Sequence, residues 1–360
     1  MKLMFPQLVA TLASLIVGSA VLAPALAEDV TVRFGFAQVG VGNRQFGSGN
    51  SAAIAHAQGL VEAEFKDNPG VRIDWSFFKG AGPAVNEALA NDQLDFALHG
   101  DLPSIVGRSN GLRTKIVAAN GVRANIYLAV RPSSGIERIE DLKGRKVAQF
   151  RGTNLQLATD KVLAAHGLTE RDVRFISMDF ATATAALASG DIDAAFGQAD
   201  YLALEKQGVA RVIYSSKGDN PAFTRHSHVH VTEKFEQAHP DLVARVVKAL
   251  VKAAAWASDE NNRDAVFETW AKSGIPAETF RADFDGQALK LRSTPLIDDF
   301  LIAAYRDQAE RARQYRLLRT EVSIDDWFEP KYVEQAVKDL GLEDYWPRYD
   351  AQGVAEVASR

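Results

Sequence analysis

The chain has 360 residues, of which 47% are hydrophobic and 24% charged, with a net charge of −5 and no cysteine. That length favours two domains over one, and the apolar fraction supplies sizeable cores, unlike a disordered or collagen-like chain. A mildly acidic chain without a dense basic run argues against nucleic acid as a partner. Without thiols, disulfides, thiolate metal sites, thiol catalysis and a lipid anchor on an N-terminal cysteine are excluded.

Residues 1–27 read as a cleaved export signal. Lys2 supplies the basic end, Leu8 to Leu22 an apolar stretch, and Ala25-Leu26-Ala27 a small-x-small cleavage site. No later segment is apolar enough to cross a bilayer, so the mature chain is expected free in the periplasm. Val30, Val32, Phe34 and Phe36 then alternate as a half-buried strand, with Gln38 just beyond it and a Gly-rich loop at 39–50 that carries Arg44. A helix is expected over 51–65 and a strand over 71–78. Gly80-Ala81-Gly82-Pro83 opens the next helix, with proline in its first turn. A strand over 94–98 runs into His99-Gly100-Asp101-Leu102-Pro103, another helix start. Strands follow at 114–119, 126–130 and 145–150. Arg151-Gly152-Thr153-Asn154 leads into a helix over 155–166, followed by a strand at 173–177, a helix at 181–188 and a strand at 192–196. Beyond Val229 the pattern is almost wholly helical, at 241–257, 263–271 and 297–317, and this third is expected to pack on the first lobe. Alternating strands and helices predict mostly parallel sheets with helices on their faces.

One short segment occurs twice. Ala88-Leu89-Ala90-Asn91-Asp92-Gln93-Leu94-Asp95-Phe96-Ala97 is echoed by Ala186-Leu187-Ala188-Ser189-Gly190-Asp191-Ile192-Asp193-Ala194-Ala195. Each reads as a last helical turn, a tight turn and a short buried strand. The repeat predicts two α/β lobes of like topology. Residues 28–125 with 223–360 would form lobe I, and residues 126–222 lobe II, with the ligand cleft between them. Two chain crossings, near 122–124 and 221–225, suit a hinge.

Three glycine-opened helix starts, at Gly82-Pro83, Gly100-Asp101 and Gly152-Thr153-Asn154, are candidate anion sites. Free N–H groups and the positive end of the helix dipole meet there. Arg44, Arg123 and Arg151 are expected at the cleft, where a guanidinium can fork onto an oxyanion. Gln38 is a further contact. His228 is expected to reach the ligand from the hinge strand, with His226 and His230 facing the other way. Phe77, Phe78 and Tyr201 are candidates for the cleft wall. Asp92, Asp95, Asp191 and Asp193 read as structural, and no cofactor or metal is expected.

These segments resemble the periplasmic substrate-binding proteins of bacterial importers for aliphatic sulfonates, taurine and nitrate. The matching stretches are Ala81-Gly82-Pro83 with Glu87-Ala88-Leu89, Gly100-Asp101-Leu102-Pro103, Ile139-Glu140-Asp141-Leu142-Lys143-Gly144-Arg145-Lys146-Val147-Ala148, and Gly190-Asp191-Ile192-Asp193-Ala194. The resemblance implies the two-lobed type II periplasmic binding protein fold, a helical C-terminal extension and an anionic head among the helix starts. It further implies a monomer that captures an organosulfur anion and delivers it to an ABC permease in the inner membrane. Where sulfonate binders commonly carry aromatic and acidic residues, this chain has Phe196-Gly197-Gln198-Ala199-Asp200-Tyr201, so Gln198 is expected as an uncharged contact. Two alternatives stand beside this reading: a desulfinase-like enzyme on the same fold, whose relatives use a cysteine nucleophile, and a soluble sensor feeding a chemoreceptor.

Overall fold

The computed structural model describes residues 29–356, so the expected export signal lies outside the described residues. Among them no helix is long and apolar enough to cross a membrane. Ten strands form two sheets. They are β1 (Val30–Phe36), β2 (Val71–Phe77), β3 (Phe96–Gly100), β4 (Thr114–Ala119), β5 (Tyr127–Val130), β6 (Lys146–Gln149), β7 (Arg174–Ser177), β8 (Ala194–Gly197), β9 (Arg211–Ser215) and β10 (Ser227–Thr232). The sheet orders are β2-β1-β3-β10-β4 and β7-β6-β8-β5-β9. In each sheet four strands run one way and a single strand runs against them. β10 is antiparallel to β3 and β4, and β5 to β8 and β9, whereas the other pairings are parallel. Both reversed strands enter from the opposite sheet, β5 after β4 and β10 after β9. The mostly parallel expectation therefore holds, with one reversed strand per sheet at each chain crossing.

The repeated segment occupies the same place in both sheets. The helix Ala81–Ala90 feeds β3 and the helix Phe180–Ser189 feeds β8. Each helix stops at a left-handed residue, Asp92 with φ 55° and Gly190 with φ 82°. Asp95 then accepts the Arg33 N–H at 2.9 Å, and Asp193 the Lys146 N–H at 3.0 Å, so each carboxylate clamps the neighbouring parallel strand. These aspartates are structural, as their positions suggested.

Alternation in β1 buries Val32, Phe34 and Phe36 against the long helix Pro240–Ser258, whose Val243, Val246, Val247 and Leu250 face the same core. Fully burying such a side chain contributes about 1.5–3 kcal/mol, which is why the helical third packs on this sheet. Trp327 and Trp346 are buried in that core and satisfy their indole N–H groups on Thr114 and Ser258. Residues 327–329 also cover the free edge of β4 through Ile116 N–H to Trp327 O at 2.9 Å and Glu329 N–H to Ile116 O at 2.8 Å. The helix expected over 51–65 is broken at Gly59, whose φ of 61° ends Ser51–Gln58 before Leu60–Glu64 begins. The second sheet has its own core around Leu128, Val147, Leu155 and Phe196.

Candidate functional site

Parallel strands bring their carboxyl ends, and the helix starts that follow, to one edge of each sheet. Those edges face each other across a polar cavity of about 140 Å³. Gln38, Gly82 and Gly100 line it from the first lobe, and Thr153, Asn154 and Gln198 from the second, so six of the expected contacts come together there. Thr153 caps the helix Asn154–Ala165 by accepting the Leu155 N–H at 3.3 Å and donates to Phe150 O at 2.7 Å. Gln38 is held by the Gly-rich loop: its amide donates to Ser48 Oγ at 3.3 Å, and its oxygen accepts the Ser48 N–H at 3.1 Å.

Glycine matters where a neighbouring side chain presses against the backbone. A Cβ on Gly82 would lie 2.4 Å from the Pro103 ring, and one on Gly100 would lie 2.9 Å from the Asn154 amide across the cleft.

The charge in this cavity comes from two arginines that sequence reasoning missed, Arg225 and Arg292. Arg292 is neutralised by Asp283 at 2.7 Å and stacks on Phe284 at 3.8 Å. Burial works against the Asp283 anion, but Arg292, Tyr127 Oη at 2.6 Å and Asn125 Nδ2 at 2.8 Å together hold its carboxyl below the usual range. Arg225 is different. Its guanidinium donates to the Gln198 side-chain oxygen at 3.3 Å, Asn125 O at 3.2 Å and Asn154 Oδ1 at 3.4 Å, all of them uncharged, and its Nε–H has no partner. Burial lowers its pKa to about 10, aided by nearby Arg292, which still leaves it protonated at neutral pH. The cavity thus holds a buried cation without a carboxylate partner among the described residues. Asp200 at the cavity wall is pushed by burial up to about 6.

Beside the polar cavity, and sharing Gln38, Ala81, Phe180 and Asp200 with it, is a second chamber of about 600 Å³. Phe78, Phe150, Phe180 and Leu204 form its apolar walls, and the loop Val39–Asn43 closes one side. That loop is docked on the C-terminal third by Val41 N–H to Ser273 O at 2.7 Å.

The other expected contacts lie elsewhere. Arg44 is exposed and reaches Lys272 O at 3.4 Å. Arg123 is buried between the Phe300 and Tyr349 rings, at 4.0 and 4.2 Å, where it anchors the C-terminal tail. Arg151 pairs with Glu170 at 2.9 Å on the outer surface. Asp101 sits beneath the cavity, its carboxylate taken by the N–H groups of Leu102 and His226 and by Gln308. Pro83 and Gly152 face each other between the lobes and do not line the cavity: a Cβ on Gly152 would lie 3.0 Å from Pro83. His228 is also misplaced by the sequence reading. A strand's period of two puts alternate residues on one face, and His228 and His230 point together into the core, their centroids 5.2 Å apart. Of the expected cleft wall, Phe78 lines the outer chamber, whereas Phe77 stacks on Phe36 and Tyr201 is buried in the second lobe.

Residues 72–263, just over half of the chain, match the family model described as NMT1/THI5 like. The chain belongs to the NMT1/THI5-like family. Within reach of this family member, a protein of Bacillus subtilis (strain 168) named as aliphatic sulfonates-binding is 28% identical over 298 residues, 79% of this chain and 84% of that protein. The solved periplasmic sulfonate-binding protein of a sulfonate ABC transporter from Methylobacillus flagellatus KT is 28% identical. It superposes with a TM-score of 0.77 over 92% of this chain and 100% of that one, which fixes the two-lobed periplasmic binding protein fold. A 2'-hydroxybiphenyl-2-sulfinate desulfinase of Rhodococcus erythropolis is 29% identical over a shorter span, 42% of this chain and 41% of the enzyme. The more extensive likeness of this NMT1/THI5-like protein is thus to binding proteins.

Proposed function

We propose that this protein is the periplasmic solute-binding component of an ABC importer for organosulfur anions, alkyl sulfonates or sulfate esters. It would capture them between its lobes and present them to the permease as a monomer. The observation that carries this reading is Arg225, a buried guanidinium held only by uncharged oxygens at the wall of a polar cavity. An oxyanion head supplies the missing charge, with amide donors of Asn154 and Gln198 beside it. The adjoining apolar chamber takes the organic tail. Two lobes that each contribute donors can all reach the ligand only when brought together, so binding and closure are one event. No step of chemistry is assigned to the protein, and a desulfinase-like mechanism through cysteine has no nucleophile in this sequence.

Titration calorimetry with a medium-chain alkyl sulfonate, and with the alcohol of the same chain, tests the reading. The sulfonate binds and the alcohol does not, and Arg225→Gln loses about 2–5 kcal/mol of sulfonate affinity. Arg151→Ala leaves it unchanged, because that side chain is engaged outside the cleft. Equal binding of the alcohol, or full affinity in Arg225→Gln, would end the argument for an anion site.

A further inference from the structure

β3 and β10 lie side by side, with His228 directly opposite His99. His230 joins them on the same face, and the three rings form one cluster with centroids 5.1–6.4 Å apart. One nitrogen from each ring lies within 4.8 Å of the other two, and all three side chains are buried. Two rings are oriented from behind. His99 directs Nε2 at Gly82 O, 3.1 Å away, leaving Nδ1 turned inward. His228 places Nδ1 against the Tyr305 hydroxyl, leaving Nε2 turned inward, 3.1 Å from Ser104 Oγ.

A closed chain of hydrogen bonds accounts for these two histidines. It runs from Tyr305 through His228, Ser104 and His99 to Gly82 O. Ser104 has one proton, however, and its oxygen also lies 2.8 Å from Gly100 O, so His99 Nδ1 and Gly100 O compete for it. His230 lies outside the chain altogether. It is 1% exposed, and neither ring nitrogen has a partner, which leaves a donor and an acceptor buried and unmet. Burial keeps all three imidazoles neutral, the form that ligates a metal: His99 is pushed down to about 4 and the other two fall well below the usual histidine range.

We propose that His99, His228 and His230, with Ser104 Oγ as a fourth donor, form a binding site for a divalent cation of the zinc type. Neutral imidazole nitrogens suit such borderline ions, and three of them with one oxygen make a tetrahedral donor set. The outer hydrogen bonds of His99 and His228 are those expected of ligating histidines, whose second nitrogen donates to an oxygen and fixes the ring. An ion here would occupy a His230 nitrogen and relieve the competition for the Ser104 proton. It would also stiffen the turn at Gly82, whose carbonyl is tied to His99 and whose backbone lines the ligand cavity. The inference does not depend on the nature of the solute.

Because the cluster is buried, the test starts from the full chain unfolded in chelator and refolded with one added equivalent of Zn²⁺ or Co²⁺. The refolded wild type should retain one equivalent by elemental analysis after dialysis. The Co²⁺ form should show the visible ligand-field absorption of a four-coordinate ion, and either metal should raise the melting temperature. His230→Leu should lose the bound equivalent and the metal-induced rise, while His166→Ala, at a partly exposed histidine paired with Glu140, should keep both. Should His230→Leu fail to fold, the wild-type cobalt spectrum decides alone. No bound equivalent and no visible band in the refolded wild type would mean an ion-free hydrogen-bonded cluster and overturn the proposal. An equivalent retained by a folded His230→Leu would place the metal elsewhere and overturn it equally.

Discussion

At the scale of single residues, the cleft differs from a surface charge cluster in how each charge is spent. Arg33 and Arg151 have carboxylate partners at 2.6 and 2.9 Å in partly solvated positions, and such pairs are worth about 0–1 kcal/mol each. Arg225 instead keeps its charge in reserve inside the protein. Asp200 is the residue most able to spoil that arrangement, since its carboxyl lines the same cavity. Burial raises its folded pKa to about 6, above the ordinary carboxyl value of 3.8, so the folded protein favours the protonated form. The sign follows directly: whatever stability Asp200 contributes is present at low pH and is lost as pH rises from near 4 to near 6. Ligand binding follows the same direction one step higher. Above pH 6 the ionised Asp200 adds a negative charge near Arg225, without ion-pair contact, and repels an incoming anion. Sulfonate affinity measured by calorimetry should therefore fall between pH 5.5 and 7.5, by at most about tenfold per pH unit. Asp200→Asn should flatten that dependence and bind tightly throughout. An unchanged pH profile in Asp200→Asn would remove the carboxyl from the site.

At the scale of elements, the three glycine-opened helix starts do different jobs. Gly82 is packed within its own lobe, against Pro103, whereas the closest neighbour of Gly100 is Asn154 of the other lobe. Gly82→Ala should consequently lower the melting temperature of the ligand-free protein, because the added methyl has nowhere to go in any arrangement of the lobes. Gly100→Ala should leave that melting temperature near wild type and weaken sulfonate binding, since its methyl obstructs only the approach of Asn154. Equal destabilisation by both substitutions would mean that the Gly100–Asn154 contact persists without ligand. These helix starts were legible in the sequence because a glycine and a proline or polar cap at a strand end have a local cause. So were β1, the repeated helix-to-strand corner and the long C-terminal helices, each marked by its own periodicity. The arginines were not. Arg44, Arg123 and Arg151 sit beside loops, as a cleft residue should, but a five-donor side chain goes where acceptors are. For Arg44 and Arg123 the acceptors lie in the C-terminal third, far along the chain, and for Arg151 in Glu170, beyond the helix that follows it. Arg225 lies at the second crossing, next to the histidine-bearing strand. Position at the crossing was the available signal, and its burial among amide oxygens exists only once both lobes have folded. The histidine face was readable from the strand period of two, which puts His228 with His230 and away from the cleft.

At the scale of the whole molecule, the lobes are in contact on both sides of the cavity. On one side Leu102, Leu157 and Ala312 form an apolar cluster spanning both lobes and the C-terminal helix Asp299–Gln314, reinforced by Lys161 to Asp307 at 2.8 Å. At the mouth the contacts are lighter: Lys79 to Asp179 at 3.8 Å, and the Gly100–Asn154 and Pro83–Gly152 approaches. The two crossing segments pair with each other through a bridge between Ala124 and Arg225. Arg225 therefore lies at the paired crossing as well as in the cavity wall, so in the proposed function the group that meets the ligand's charge sits where the lobes would hinge. An exposed ion pair and two close approaches do not hold a mouth shut, but a ligand that bridges Arg225, Asn154, Gln198 and Gln38 adds several charge-assisted hydrogen bonds available only in the closed arrangement. That differential affinity shifts the population toward closure, and a shift from mostly open to mostly closed requires about 5.5 kcal/mol, within reach of a few such bonds. Small-angle scattering should show a smaller radius of gyration with saturating sulfonate than without it. Arg225→Gln should stay at the ligand-free value under the same conditions, and so should wild type given the alcohol analogue. If the profile does not change while calorimetry confirms binding in the same sample, the apolar cluster holds the lobes closed throughout. The ligand would then enter a rigid pocket through the mouth between Lys79 and Asp179.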